Sequence, residues 1–295
     1  MKFRFISISQ IFFLALLLIS SQFDGYSQEA DSTVVKPGLF VGISLGPSQT
    51  SISNEGTLSV ANLVSSSQNS FGGSLEIGYF FSESIGISSG LGFTSYKSQL
   101  TLGTYQNNFN TVDSENEAYE RRVSGTDIKE IQNVGFLSLP VCLDIRLPLS
   151  KKMSFFLQPG INLAIPITKK YTSSGTFTYK GYYPAYNVLL ENLPAYGFPS
   201  NVNSITNGTL EIKSININAL VSAGFDFSIQ KNIQIGVGVS YSKSLSNISD
   251  YTSPDKFQLS SDVYLINSMM GGSSKATFQS LGLNIRLRYF LKSPL

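Results

Sequence analysis

The chain has 295 residues, a formal net charge of +2, one cysteine and no histidine. A lone Cys142 rules out an internal disulfide and a thiolate metal site, and the missing histidine removes Ser–His–Asp triads and His-ligated metals. Charged residues make up only 14% with no basic stripe, so nothing points to a nucleic-acid partner.

The N-terminus places Lys2 and Arg4 before an apolar run from Ile11 to Ile19, and Gly25-Tyr26-Ser27 follows. Small residues at the −3 and −1 positions put a cleavage point at Ser27/Gln28, so 1–27 reads as a secretory signal peptide. The alternative, a membrane-anchoring helix, needs about 20 apolar residues and this run is far shorter. No cysteine stands just after the run, where lipid would be attached, which argues against a lipoprotein.

Beyond residue 37 the chain alternates with period two rather than 3.6. Eight segments carry the pattern: 38–47, 71–81, 84–97, 134–147, 152–167, 215–228, 232–243 and 278–291. In "SIGISSGLGFTSYK" (84–97), Ile85, Ile87, Leu91 and Phe93 alternate with Gly86, Ser88, Gly90 and Gly92. Glycine at this density would weaken a helix. Tight turns are predicted at 82–83, 149–151 and 230–231, and long polar loops at 48–70, 98–133, 168–214 and 244–277. Short turns at one end, long loops at the other and an even strand count describe a transmembrane β-barrel. The prediction is all-β: an eight-stranded antiparallel transmembrane β-barrel over 38–291, with four long extracellular loops and short periplasmic turns. Residues 28–37 form a short periplasmic segment and 292–295 a tail. A soluble sandwich or lipocalin-like barrel also uses short alternating strands. Here, however, the apolar set fills one face and the other is mostly Gly and Ser, which suits lipid outside and a narrow lumen inside.

On that inward face the even-numbered strands carry Glu76, Asp144, Arg146, Asp226, Arg286 and Arg288, three acids and three arginines. All lie toward the turn ends, so they should meet in the periplasmic half of the lumen. Arg forms forked hydrogen bonds with carboxylates, and an unpaired charge in such a place is costly. The six are therefore read as a structural polar plug; a catalytic or proton-relay cluster is the competing reading.

The 168–214 loop holds Tyr171, Phe177, Tyr179, Tyr182, Tyr183, Tyr186, Tyr196 and Phe198. Such side chains are favoured contact residues, so Tyr171, Tyr179, Tyr182, Tyr183, Tyr186 and Tyr196 are candidates for a surface contact with a protein or glycan. The competing reading, which is preferred, is that part of them form an interface girdle and a self-packed loop core. Tyr79, Phe80, Phe81, Tyr241 and Tyr289, at strand ends, are girdle candidates. Asp113, Glu115 and Glu117 lack the rest of a calcium loop and read as a solvated acidic loop.

"FLSLPVCLDIRL" (136–147), with proline inside a Leu/Ile/Val run, resembles a strand of the PorT-like small outer-membrane β-barrel proteins of Bacteroidota. "FGGSLEIGYFFSESIGISSGLGF" (71–93) resembles their paired strands around a tight turn, and "SLGLNIRLRYF" (280–290) resembles the C-terminal assembly signal of outer-membrane barrels. The resemblance implies an outer-membrane location and, for PorT itself, a link to a secretion system. From this follow two expectations: a non-enzymatic structural or accessory component of the envelope, or a surface-binding barrel using the Tyr-rich loop. A solute channel ranks behind both. The implied partners are outer-membrane lipid, the barrel assembly machinery during biogenesis and an envelope or secretion-complex protein. No catalytic residue, metal or cofactor is expected.

Overall fold

The computed structural model describes residues 37–56, 62–252 and 256–291. The expected signal peptide, all but residue 37 of the expected periplasmic segment, and the tail 292–295 lie outside the described residues.

Among the described residues, ten strands form one antiparallel sheet. They are β1 (Gly38–Gly56), β2 (Val64–Phe80), β3 (Ile85–Val112), β4 (Ala118–Pro148), β5 (Met153–Tyr183), β6 (Val188–Glu191), β7 (Val202–Thr209), β8 (Asn216–Gln230), β9 (Ile233–Ser244) and β10 (Ser273–Phe290). Eight of them close into a barrel in the order β1-β2-β3-β4-β5-β8-β9-β10. The last strand pairs back onto the first, with Phe40 opposite Phe290 and Asn54 opposite Ala276. Closure leaves the eight-stranded wall without an open edge. The short strands β6 and β7 continue β5's second side upward after β8 ends: β8 pairs with Met153–Ala164, β7 with Lys170–Phe177 and β6 with Lys180–Tyr183.

Tight turns close one end of the barrel. Phe81 N donates to Ile85 O at 2.9 Å and Leu149 N to Met153 O at 2.9 Å. Around this end runs a belt of outward apolar side chains, including Val41 and Ile43 on β1, Leu91 and Phe93 on β3, Leu137 to Leu147 on β4, and Ile285 and Leu287 on β10. Water would solvate that belt poorly; hydrocarbon suits it, and only a closed barrel or a helix can sit there.

At the other end the strands run past the boundaries that the pattern predicts. The stretch 98–133 is not a long loop: β3 reaches Val112, β4 starts at Ala118, and five residues turn between them. The expected loops at 48–70 and 168–214 are also largely strand, and 245–272 alone stays mostly irregular. A strand crosses a bilayer in about 9–11 residues, whereas β4 and β5 have 31 each. The surplus stands outside the membrane as a tall extension of the β3–β4–β5 wall.

The extension has an inverted pattern. On β3, odd-numbered Ile85, Ile87, Leu91 and Phe93 point outward, but above the belt the even-numbered Tyr96, Leu100 and Leu102 are buried inside. The strand keeps its phase through Leu102 while the outer solvent changes from hydrocarbon to water. Apolar residues accordingly switch to the inner face, where they pack against the irregular segment. Leu259, Ile266, Met269 and Met270 of that segment are fully buried among Leu100, Val123, Phe136, Phe177 and Tyr179.

Candidate functional site

The lumen is filled in layers. At the turn end Phe40, Phe80 and Phe290 pack with ring centroids 5.5–6.1 Å apart. Phe80 departs from the girdle expected of it: as an even-numbered residue of β2 it faces inward and is buried, while Tyr79, Phe81 and Tyr289 stay exposed at that end and Tyr241 is half-buried near the other.

Above the three rings lie all six predicted charged residues. Arg288 bridges two strands, with Nη1 2.7 Å from Asp144 Oδ1 and Nη2 3.0 Å from Glu76 Oε2. Arg286 forks onto Asp226, its Nε donating to Oδ1 at 2.8 Å and its Nη2 donating to Oδ2. Asp144 also accepts from Ser88 Oγ and, at 3.4 Å, from Gln158 Nε2. Among the described residues Arg146 forms no pair with a carboxylate. Its Nη2 donates to Gln234 Oε1 at 3.1 Å, and its guanidinium lies 4.0 Å from the Phe80 ring centroid. The other two arginines also rest on rings, Arg288 on Phe40 and Arg286 on Phe156. Glycine makes the room: a Cβ at Gly236 would collide with Asp226 Oδ1 and Arg286 Cγ. Three acids offset three arginines, so the cluster is neutral, and every member except Glu76 is almost completely buried.

Next comes a polar chamber of about 150 Å³ lined by Ser44, Ser74, Ser138, Ser222, Gln158 and the free thiol of Cys142 among others. Tyr96, Phe136 and Phe278 cover it, their ring centroids 5.0–5.6 Å apart.

The tyrosine candidates divide by direction. A bulge near Thr168 shifts the phase of β5, so its odd residues face inward above that point. Tyr179 and Tyr183 are therefore buried rather than surface contacts: Tyr179 hydroxyl meets Ser260 Oγ at 2.7 Å, and Tyr183 stacks on Tyr119 at 5.1 Å. Phe177 and Phe198 are buried as well. Tyr171 is half-buried and borders an open pocket of about 400 Å³ with Glu211, Tyr251 and Lys256. Tyr182 is half-buried beneath the Arg122 guanidinium, 4.7 Å from its ring centroid. Tyr186 and Tyr196 are exposed. The acidic turn holds the β5–β6 tip in place. Asp113 accepts from Glu115 N, Glu117 N and Tyr183 hydroxyl, and Tyr186 hydroxyl donates to Glu117 Oε1 at 2.6 Å. Hydrogen bonds from the turn amides, that of Glu117 first, hold the Asp113 carboxyl below its ordinary range. Among the described residues no group of three or more His, Cys, Asp or Glu side chains could hold a metal ion.

The family model of the outer membrane protein beta-barrel domain matches residues 26–250. The chain belongs to that family. It is an outer-membrane protein, and the apolar belt is its lipid-facing surface. Among solved structures this outer-membrane barrel is similar to Neisserial surface protein A, at 12% identity over 86% of this chain and 97% of that one with a TM-score of 0.38. It is also similar to OprG from Pseudomonas aeruginosa, at 13% over 89% and 100% with a TM-score of 0.42. The attachment invasion locus protein Ail of Yersinia pestis is similar at 11% over 85% and 99%, with a TM-score of 0.31. No curated protein matches.

Sequence reasoning missed one residue of this outer-membrane barrel. Glu130 on β4 is fully buried above the belt. Its carboxylate accepts from Met269 N at 2.7 Å, Ser268 Oγ at 2.9 Å, Ser173 Oγ at 2.7 Å and Gln132 Nε2 at 2.6 Å. It thus ties the segment 245–272 to the wall. The signal was present in "DIKEIQNVGF": Glu130 keeps the inward phase of Ile128, Val134 and Phe136. Desolvation raises its pKa above the ordinary 4.5. In the window above 4.5 the folded state holds a proton that the unfolded state has released, so stability falls as pH rises toward the folded value. The amides of Ser268 and Met269 are expected to be better protected from hydrogen exchange at pH 5 than at pH 8, after correction for intrinsic rates. Glu130→Gln should abolish the difference. A difference that survives in the variant would assign the titration to another group.

Proposed function

We propose that this outer-membrane barrel is a non-enzymatic, non-conducting component that works by contact, as an accessory subunit of an envelope assembly. The observation that carries this reading is the exposed apolar patch on the β5–β7 connection. Tyr186, Val188, Leu189, Leu193 and Tyr196 all face solvent there, with Tyr196 74% exposed. The patch sits beside β6, at the top of β5 and far from the lipid belt, so lipid does not cover it. Exposed apolar side chains grouped in this way mark a contact surface. The tall β3–β4–β5 wall and the buried segment inside it give the patch a rigid mount. The stacked closures of the lumen, a charged layer, a ring layer and the buried segment, count against a solute pore. A PorT-like role beside a secretion complex agrees with a barrel whose exposed head, rather than its lumen, is the working part. An adhesin would use the same patch for a partner outside the cell.

Photo-crosslinking residues placed at Tyr186 and Tyr196 in intact cells test the reading. A discrete adduct with an envelope protein is expected. Adducts that form only with added host proteins or glycans would favour the adhesin. Steady open levels in planar bilayers, with no adduct at either position, would overturn both.

A further inference from the structure

Directly above the lipid belt the strand register sets Lys97 of β3 opposite Asn133 of β4, and Asn133 opposite Lys170 of β5. Three adjacent strands thereby carry a Lys–Asn–Lys row on the outer wall. Lys129 lies four residues farther up β4, with Thr101 and Ser174 beside it on the two neighbouring strands. All three lysines are exposed, and among the described residues none is in an ion pair. The nearest exposed acid along β4, Asp127, sits still farther from the belt, and Glu130, next to Lys129, is buried on the inner face. Phe93 is four residues below Lys97, and Leu137 four below Asn133; both are exposed on the belt. Four residues of strand span about 13 Å.

We infer that Lys97, Lys129 and Lys170 bind the phosphate-bearing headgroups of outer-leaflet lipids. Three unneutralised ammonium groups on a rigid wall complement anionic phosphate. They also continue the lipid-facing surface without a break, so a lipid with its chains on Phe93 and Leu137 brings its headgroup to the lysine row. The patch is a flat sheet face without a buried donor, which gives free phosphate little hold. A phosphate anchored by its own acyl chains arrives at high effective concentration. The occupant is therefore a membrane lipid.

The folded protein in nonionic detergent should retain bisphosphorylated lipid A or phosphatidylglycerol in native mass spectrometry, and should release them as salt rises. Phosphatidylcholine at the same concentration should be retained far less. The variant Lys97→Gln/Lys129→Gln/Lys170→Gln should bind the anionic lipids about 100-fold more weakly, each lysine near an anionic surface contributing roughly fivefold. Lys231→Gln, in a turn at the periplasmic end, should leave binding unchanged. Heat-modifiability on gels checks that each variant is folded; should the triple variant fail to fold, the pair Lys97→Gln and Lys170→Gln, measured singly, replaces it. Equal retention by parent and lysine variants, or equal retention of phosphatidylcholine, would overturn the assignment. Stabilisation of the parent by inorganic phosphate as strong as that by lipid would also overturn it.

Discussion

Arg288→Ala is expected to lower the stability of the folded barrel by about 3–5 kcal/mol, the cost of breaking a buried ion pair by removing one partner. The substitution strands two carboxylates, Glu76 and Asp144, in a lumen from which water is largely displaced, and removes the guanidinium that covers Phe40. Arg146→Ala should cost clearly less. Its guanidinium leans on Phe80 and Gln234, so its loss leaves no acid without its arginine. Urea or thermal unfolding followed on semi-native gels reads both variants. A structural plug predicts the order Arg288→Ala well below Arg146→Ala. Equal, small effects would mean that the cluster is hydrated and that some other layer closes the barrel. Neutralising the network together, as Arg288→Met with Glu76→Gln and Asp144→Asn, should recover much of the loss, because no unpaired charge is left behind.

Phe278→Ala should cost about 3–5 kcal/mol as well, the usual range for deleting a buried phenyl ring. Phe278 packs against Tyr96 and Phe136, each 5.0 Å away between centroids, at the roof of the polar chamber. The chamber contains its own reporter, since Cys142 is the chain's one thiol and is buried in the chamber wall. A small neutral thiol reagent should label Cys142 slowly in the parent and at least about tenfold faster in the variant, because the lost ring opens a cavity beside the chamber. Fast labelling of the parent would mean that the aromatic layer does not seal the chamber. A variant as stable as the parent would mean that the segment around Met270 collapses into the gap.

The part of the fold that lies in the membrane could be read from the sequence because two different solvents act on it at once. Hydrocarbon outside selects Leu137, Leu139, Val141 and Leu143, and a cramped lumen selects Ser138, Cys142 and Asp144 between them. That contrast gave the strands, the turns and the membership of the charged cluster. It did not give the partners: Asp144 and Arg146 are two residues apart, yet Asp144 pairs with Arg288 of another strand. Above the belt the same reasoning failed for a physical reason. Apolar residues moved to the inner face at about Tyr96, and bulges near Asp127 and Thr168 reset the phase, so the alternation dissolved when counted along the chain. The tyrosines suffered most. Tyr179 and Tyr186 look alike in sequence, but Tyr179 lies in β5, where one extra residue near Thr168 turns it into the core, and Tyr186 lies in the turn beyond the strand and faces water. Glu130 escaped notice because a lone acid in a polar stretch looks like a surface charge until its neighbours' direction is known.

The three rings at the turn end come from the first, second and last strands of the barrel wall, at positions 40, 80 and 290. The two contacts that Phe290 makes, with Phe40 and Phe80, join the last strand to the first two, so they cannot form until β10 is in place. Until β10 is present, β1 offers an open row of amides and carbonyls along nineteen residues, and β9 offers another. The barrel therefore has no stable shorter version of itself. Losing the final strand would not trim the protein; it would leave a sheet with two sticky edges, which must either find each other's missing partner or pair with a neighbouring chain.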